Sequence, residues 1–239
     1  MVDKMNHSFE AFTSASLMQQ AACDHITASL SEAVSQNGQA SLLVSGGSSP
    51  RPTYEALSHA DIAWDRIKVG LVDERWVAPD MSGSNAAFIA QTLMQNKAAR
   101  AEFVPMKTKH DTAASGANTV SALYSDRFRP LDLCIMGMGL DGHTASWFPN
   151  VVDLETALDI ENPALTCAID ASGCEVAGAY SERMSLTLSA VMAAKEILLL
   201  ISGEAKRAVL DAAHGKSVYD APVKALFNAG PRLKIFWGA

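Results

Sequence analysis

A continuous apolar run at residues 131–136 (LDLCIM), broken only by Asp132, stops at a cluster of glycines, Gly137, Gly139 and Gly142. A short apolar run bounded in this way reads as a buried strand, and the glycines read as a turn. Asp141 and His143 come out of that turn, and Thr144, with Ser146 close behind, is placed to cap a following helix. The stretch therefore predicts a strand handing over to a helix through a polar, Gly-rich loop. Loops at the C-terminal ends of parallel strands are where open α/β sheets hold their ligands. A histidine accepts a proton at neutral pH, and an acidic neighbour holds its ring or raises its basicity. Taken alone, a Gly-flanked histidine is more often a turn residue making local hydrogen bonds.

The same alternation recurs along the chain. Residues 16–36 place Met18, Ala22, Ile26, Leu30 and Val34 at helical spacing, and Asn37-Gly38 ends the pattern. Residues 41–44 form a short strand that runs straight into Ser45-Gly46-Gly47-Ser48-Ser49 and then a helix with Pro50 or Pro52 in its first turn. Glycines at 46 and 47 let backbone N–H groups approach a ligand, Ser48 adds a hydroxyl, and a helix N-terminus attracts anions. Arg51 adds a positive charge at the same spot; a Gly/Ser turn with a solvated arginine is the plain alternative.

Residues 67–72 (IKVGLV) predict another strand, ending in Asp73-Glu74-Arg75-Trp76. Three charged residues directly after a buried strand fit either the rim of a pocket or a salt-bridged loop. A helix follows over 84–96, then a strand over 103–106, a polar stretch over 107–118 and a helix over 119–129. Residues 151–163 are acidic and irregular, 165–169 resume a strand pattern, and 171–180 fit a hairpin or a mobile flap. Arg183 precedes an alternating, strand-like run. A strand at 196–201 leads to a helix over 204–214 with Lys206 in its first turn, where a cation is unfavourable unless an anion is near, although an exposed lysine is the default. A last strand lies at 233–237. Strands alternating with helices predict an α/β, doubly wound, mainly parallel sheet flanked by helices.

The 239 residues contain no Pro/Gly/Ser-rich linker or charge block, so one domain spanning 1–239 is expected. Against 26 acidic residues stand 19 Lys and Arg, a net charge of −7, and the basic residues are scattered, which leaves no nucleic-acid footprint. An acidic chain that takes an anionic substrate must gather its few cations in one place. Cys23, Cys134, Cys167 and Cys174 show neither CxxC pairing nor zinc-ligand spacing, which points to a reducing, cytoplasmic setting. The N-terminal twelve residues carry acidic side chains and no apolar core, so neither a secretory signal nor an anchor is expected. The strongest apolar run, 197–201, is far too short to span a membrane.

The segments SGGSSPRPTY, VDERWV with the later SNAAF, GMGLDGHTASWFP, RMSLTL and SGEAKR occur in an order and spacing that resembles the 6-phosphogluconolactonases. The resemblance covers residues 42–210, and DGHTASWFP is its most specific part, separating this family from its sugar-phosphate isomerase relatives. It implies hydrolysis of 6-phospho-D-glucono-1,5-lactone to 6-phosphogluconate in the oxidative pentose phosphate pathway. It also implies a fold shared with glucosamine-6-phosphate isomerases, ribose-5-phosphate isomerases and CoA-transferases, and no obligatory organic cofactor or metal. Carried over by motif, His143 is the general base that activates water, with Asp141 supporting it. Gly46, Gly47, Ser48, Arg51, Arg75, Arg183 and Lys206 hold the phosphate or polarise the lactone. Three positions depart from the family pattern: Arg51 where lysine is frequent, Met184 where isoleucine is usual, and Trp147 where leucine or isoleucine is frequent. Trp147 either narrows the pocket or packs below it.

A δ-lactone is an activated ester, so a poised water, a base and stabilisation of the developing oxyanion suffice. Two other readings compete. A glucosamine-6-phosphate deaminase or related isomerase continues from DGH into a segment with an asparagine and a glutamate, and the continuation here is TASWFP. A sugar-phosphate-sensing module needs no base beside its phosphate cradle and usually carries a DNA-binding segment, for which a single helix before residue 41 leaves no room. The expected partner is thus a small sugar-phosphate lactone, with neither nucleic acid nor membrane, in a monomer or homodimer.

Overall fold

The computed structural model describes residues 7–239; residues 1–6, on which part of the expectation about a leader or anchor falls, lie outside the described residues. In chain order the first half forms β1 (Ser8–Phe12), α1 (Ala15–Asn37), β2 (Ala40–Val44), α2 (Arg51–Leu57), β3 (Ile67–Leu71), β4 (Asp73–Arg75), α3 (Asn85–Thr92), β5 (Glu102–Val104) and α4 (Ala113–Arg127). The second half forms β6 (Leu133–Met136), α5 (Leu154–Leu158), β7 (Thr166–Asp170), β8 (Glu182–Leu186), α6 (Leu188–Met192), β9 (Glu196–Ser202), α7 (Glu204–Ala213) and β10 (Leu233–Gly238).

Seven strands make one all-parallel sheet in the order β1-β10-β9-β6-β2-β3-β5. Its central strands are buried throughout their length in β2 and β6, which is why they read as unbroken apolar runs. From β2 the chain winds outward through β3 to β5, and from β6 it winds the other way through β9 to β10. The winding therefore reverses between β2 and β6, and the loops leaving their C-terminal ends diverge around a crevice. Helix α1 closes one face: Ser14 caps its N-terminus, Gly38 at φ 74° ends it, and Met18, Ala22, Ile26 and Leu30 are fully buried. Each of the larger of these apolar side chains contributes on the order of 1.5–3 kcal/mol by leaving water.

Several features depart from the sequence expectation. A second, antiparallel sheet, β4-β8-β7, stands beside the main one, and it comes from the DER segment and the alternating run after Arg183. Helix α4 begins at Ala113, not 119, because Thr112 and Ser115 form a reciprocal cap and Gly116 lets the Trp76 ring lie against the helix. No helix follows Thr144: its hydroxyl donates to the Gly137 carbonyl at 2.7 Å and that of Ser146 donates to Asp73 at 2.7 Å, so both are engaged in tying the loop down. The next helix is α5, inside the stretch expected to be irregular. The 171–180 segment joins β7 to the antiparallel β8 and holds one short 3-10 turn at Glu175–Ala177.

Candidate active site

The loops after β2 and β6, the facing residues of β4 and β8, and the first turn of α7 surround a hollow of about 240 Å³. Of the residues singled out from sequence, Gly46, Gly47, Ser48, Arg75, His143, Arg183 and Lys206 line it. These come from five separated stretches of chain that meet at the reversal of winding.

His143 is placed by its own loop. Gly139 donates from its N–H to the His143 carbonyl at 2.9 Å, and Gly142 takes φ +86° to close the turn. The imidazole lies over Gly139, where a Cβ would fall 2.2 Å from both Cε1 and Nδ1, so only glycine fits. The Phe148 ring backs it at 4.7 Å between centroids. Asp141 does not line the hollow but stands behind the ring, its Oδ1 2.6 Å from Nδ1 and 3.2 Å from the His143 N–H, accepting both. With the proton on Nδ1 held by the carboxylate, the lone pair is left at Nε2. Burial alone would push the Asp141 carboxyl up, but the hydrogen bond and charge of His143 outweigh it and hold it below its ordinary pKa.

Three cations face the same space. Arg75 and Arg183 are direct partners across the antiparallel β4–β8 pair, and Lys206 reaches in from α7, donating to Ser49 Oγ at 3.2 Å. Burial lowers the Lys206 ammonium below its ordinary pKa, a desolvation that a bound anion would offset. Like charges set opposite one another on a sheet destabilise it unless something negative compensates. Here the nearest carboxylate is Asp73, whose Oδ2 is 3.9 Å from Arg183 Nη1.

Arg51 is the exception among the expected cations. It opens α2, and its side chain runs outward along the helix, where it pairs with Glu55 at 3.4 Å and stacks over Phe88 at 4.7 Å, 45% exposed. The hollow is lined by the loop before it, not by its guanidinium. Trp147 is fully buried with its indole N–H donating to the Leu186 carbonyl at 2.8 Å, so it packs below the site without narrowing it.

Sequence reasoning missed Asp73, Asn85 and Ala145, all of which line the hollow. Asp73 is buried and accepts from Ser146 Oγ and, at 3.2 Å, from Asn85 Nδ2. Ala145 sits at φ 49°, a left-handed conformation rare for a residue with a Cβ and found where surroundings over-determine the backbone. The charge run DER signalled Asp73, while Asn85 and Ala145 lay inside the SNAAF and DGHTASWFP segments without any chemistry of their own to mark them. Within that run Glu74 is structural, accepting from the N–H groups of Asn85, Ala86 and Arg75 and from Ser84 Oγ, and so fastening the start of α3.

Residues 13–237 match the model of the family described as glucosamine-6-phosphate isomerases/6-phosphogluconolactonase. The chain belongs to this family. A 6-phosphogluconolactonase of Rhizobium meliloti is 35% identical over 235 residues, 98% of this chain and 99% of that one. One from Mesorhizobium japonicum is 36% identical over 233 residues, 97% of this chain and 95% of its own. The crystal structure of a 6-phosphogluconolactonase from Shewanella baltica superposes with a TM-score of 0.90 at 36% identity, covering 98% of each chain. The span matched by the family includes every stretch that lines the hollow, from the Gly/Ser loop to Lys206.

Proposed function

We propose that this protein is an enzyme that hydrolyses 6-phospho-D-glucono-1,5-lactone to 6-phospho-D-gluconate, with the whole chain acting as one lactonase domain. The observation that carries the reading is an imidazole oriented by a carboxylate at 2.6 Å and opening into the same hollow of about 240 Å³ as Arg75, Arg183 and Lys206. The cations and the Gly46-Gly47-Ser48 backbone hold the phosphate and polarise the lactone carbonyl. Nε2 of His143 takes a proton from water as the oxygen adds to C1. Asp141 stabilises the imidazolium so formed, and the imidazolium returns the proton to the ring oxygen as the C1–O bond breaks. The acid and base steps thus use one residue. Four free thiols fit a cytoplasmic setting; no described helix is long and apolar enough to cross a membrane.

The test is proton release on adding freshly generated lactone, with spontaneous hydrolysis subtracted. The wild-type chain accelerates release, and His143→Ala lowers kcat by about 10²–10⁴-fold with a much smaller change in KM. A near-normal kcat in that variant overturns the assignment of the base. Ammonia release from glucosamine 6-phosphate would favour the deaminase instead, and binding of 6-phosphogluconate without turnover would favour a sensing module.

A further inference from the structure

Arg75 and Arg183 repel one another across the β4–β8 pair, so their spacing has to be imposed from outside the pair. The groups that impose it are backbone carbonyls of two surface loops. Arg75 Nη1 donates to the Gly83 carbonyl at 2.5 Å, and Arg183 donates from Nε to the Tyr180 carbonyl at 2.5 Å and from Nη2 to that of Ala177 at 2.9 Å. Charge-assisted bonds of this kind are strong and directional. Where the two loops lie therefore decides where the guanidiniums lie.

The loops touch. A Cβ built on Gly83 would fall 2.3 Å from Tyr180 Cε2, 2.7 Å from Cζ and 2.8 Å from Cδ2, so the aromatic ring rests directly on the buried Gly83 backbone. Tyr180 thus gives its carbonyl to one guanidinium and its ring to the residue that holds the other. Arg75 has no second anchor of its own at Nε, which is buried without a partner; beyond the two carbonyls, Arg183 has the more distant Asp73 at 3.9 Å and the Phe148 ring at 5.3 Å, neither of which reaches the Arg75 side.

We propose that Tyr180 is a positioning residue: its ring, seated on Gly83, fixes the separation of Arg75 and Arg183 and so sets the grip on the anionic part of the substrate. This rests on the lactonase reading above. Neither Tyr180 nor Gly83 lines the hollow, so the effect is transmitted through the two arginines. Gly83 does not use a positive φ, so an alanine there meets the tyrosine ring and incurs no backbone strain.

The experiment is equilibrium binding of 6-phosphogluconate by titration calorimetry to the full chain, with kcat, KM and Tm measured alongside. Tyr180→Phe keeps the ring and binds as wild type. Tyr180→Ala and Gly83→Ala each weaken binding about tenfold, the loss expected when a charge-assisted hydrogen bond is misaligned, and KM rises in step while kcat falls by less. The double variant is no weaker than Tyr180→Ala alone, because the new methyl then meets no ring; a cycle with this non-additivity locates both effects in one contact. Wild-type affinity in Gly83→Ala, or additive losses in the double variant, overturns the brace. Failure of the wild type itself to bind 6-phosphogluconate overturns the lactonase reading instead.

Discussion

An imidazole serves as a base only through the nitrogen that its neighbours leave free, and here Asp141 decides which one that is. The same logic of what each side chain is already doing separates the cations. Arg183 and Lys206 turn inward, at the expense of burial, and Arg51 turns outward into an i,i+4 pair with Glu55 and a stack on Phe88. An exposed pair of this type is worth only a few tenths of a kcal/mol. Arg51→Ala is therefore expected to leave the preference for phosphorylated over unphosphorylated lactone within about twofold of wild type, and Lys206→Ala to lower that preference by about tenfold or more, as loss of a charge-assisted contact requires. Competing the two lactones in one proton-release assay checks both. A large loss of preference in Arg51→Ala would show that its guanidinium swings into the hollow when substrate is bound.

At the scale of elements, what could be read from sequence depended on whether local chemistry and tertiary contacts agree. The strands β2, β3, β6, β9 and β10 stand where their predominantly apolar runs predict, because interior parallel strands are largely buried on both faces. Strand β1, SFEAF, has no such signal because it is an edge strand: its residues alternate irregularly between exposed and half-buried. The motif loops were legible as sites because glycine, serine and a charged residue after a strand have few other uses. Asp73 and Glu74 were not separable by sequence, since only the fold shows that one faces the hollow and the other fastens α3. Glu74 is fully buried, and burial raises its pKa despite four donors that pull the other way. Glu74→Ala would leave those donors without an acceptor and is expected to destabilise the protein by about 3–5 kcal/mol. Urea unfolding measures this; a loss under about 1 kcal/mol would mean that water or a neighbour replaces the carboxylate.

Across the whole molecule the two ends of the parallel sheet carry different chemistry. The C-terminal ends of the strands, with the adjoining β4–β8 pair, present the cations and the imidazole, which is how a chain of net charge −7 offers an anion a positive hollow. The N-terminal ends hold compensated carboxylates: Asp132 pairs with Lys195 at 2.7 Å, and Glu196 accepts from His25 and from Ser29 Oγ and pairs with Lys234 at 3.3 Å, tying α1 to β9 and β10. Burial alone would push the Glu196 carboxyl up, but the hydrogen bond and charge of His25 and the charge of Lys234 outweigh it and hold it below 4.5, its ordinary value. A depressed carboxylate contributes stability that is fully present above its unfolded pKa and lost as pH falls through its folded one. Asp141 has the same sign, and Glu74, whose folded pKa is raised, has the opposite one and partly offsets them. Glu196→Gln is accordingly expected to cost about 1 kcal/mol at pH 7, a gap that closes as pH falls through the depressed pKa of the folded carboxylate. Unfolding free energies of both proteins across that range test it. A gap that persists unchanged at the acid end would mean that the side chain acts through packing, and that the ionic clasp between helix and sheet contributes nothing.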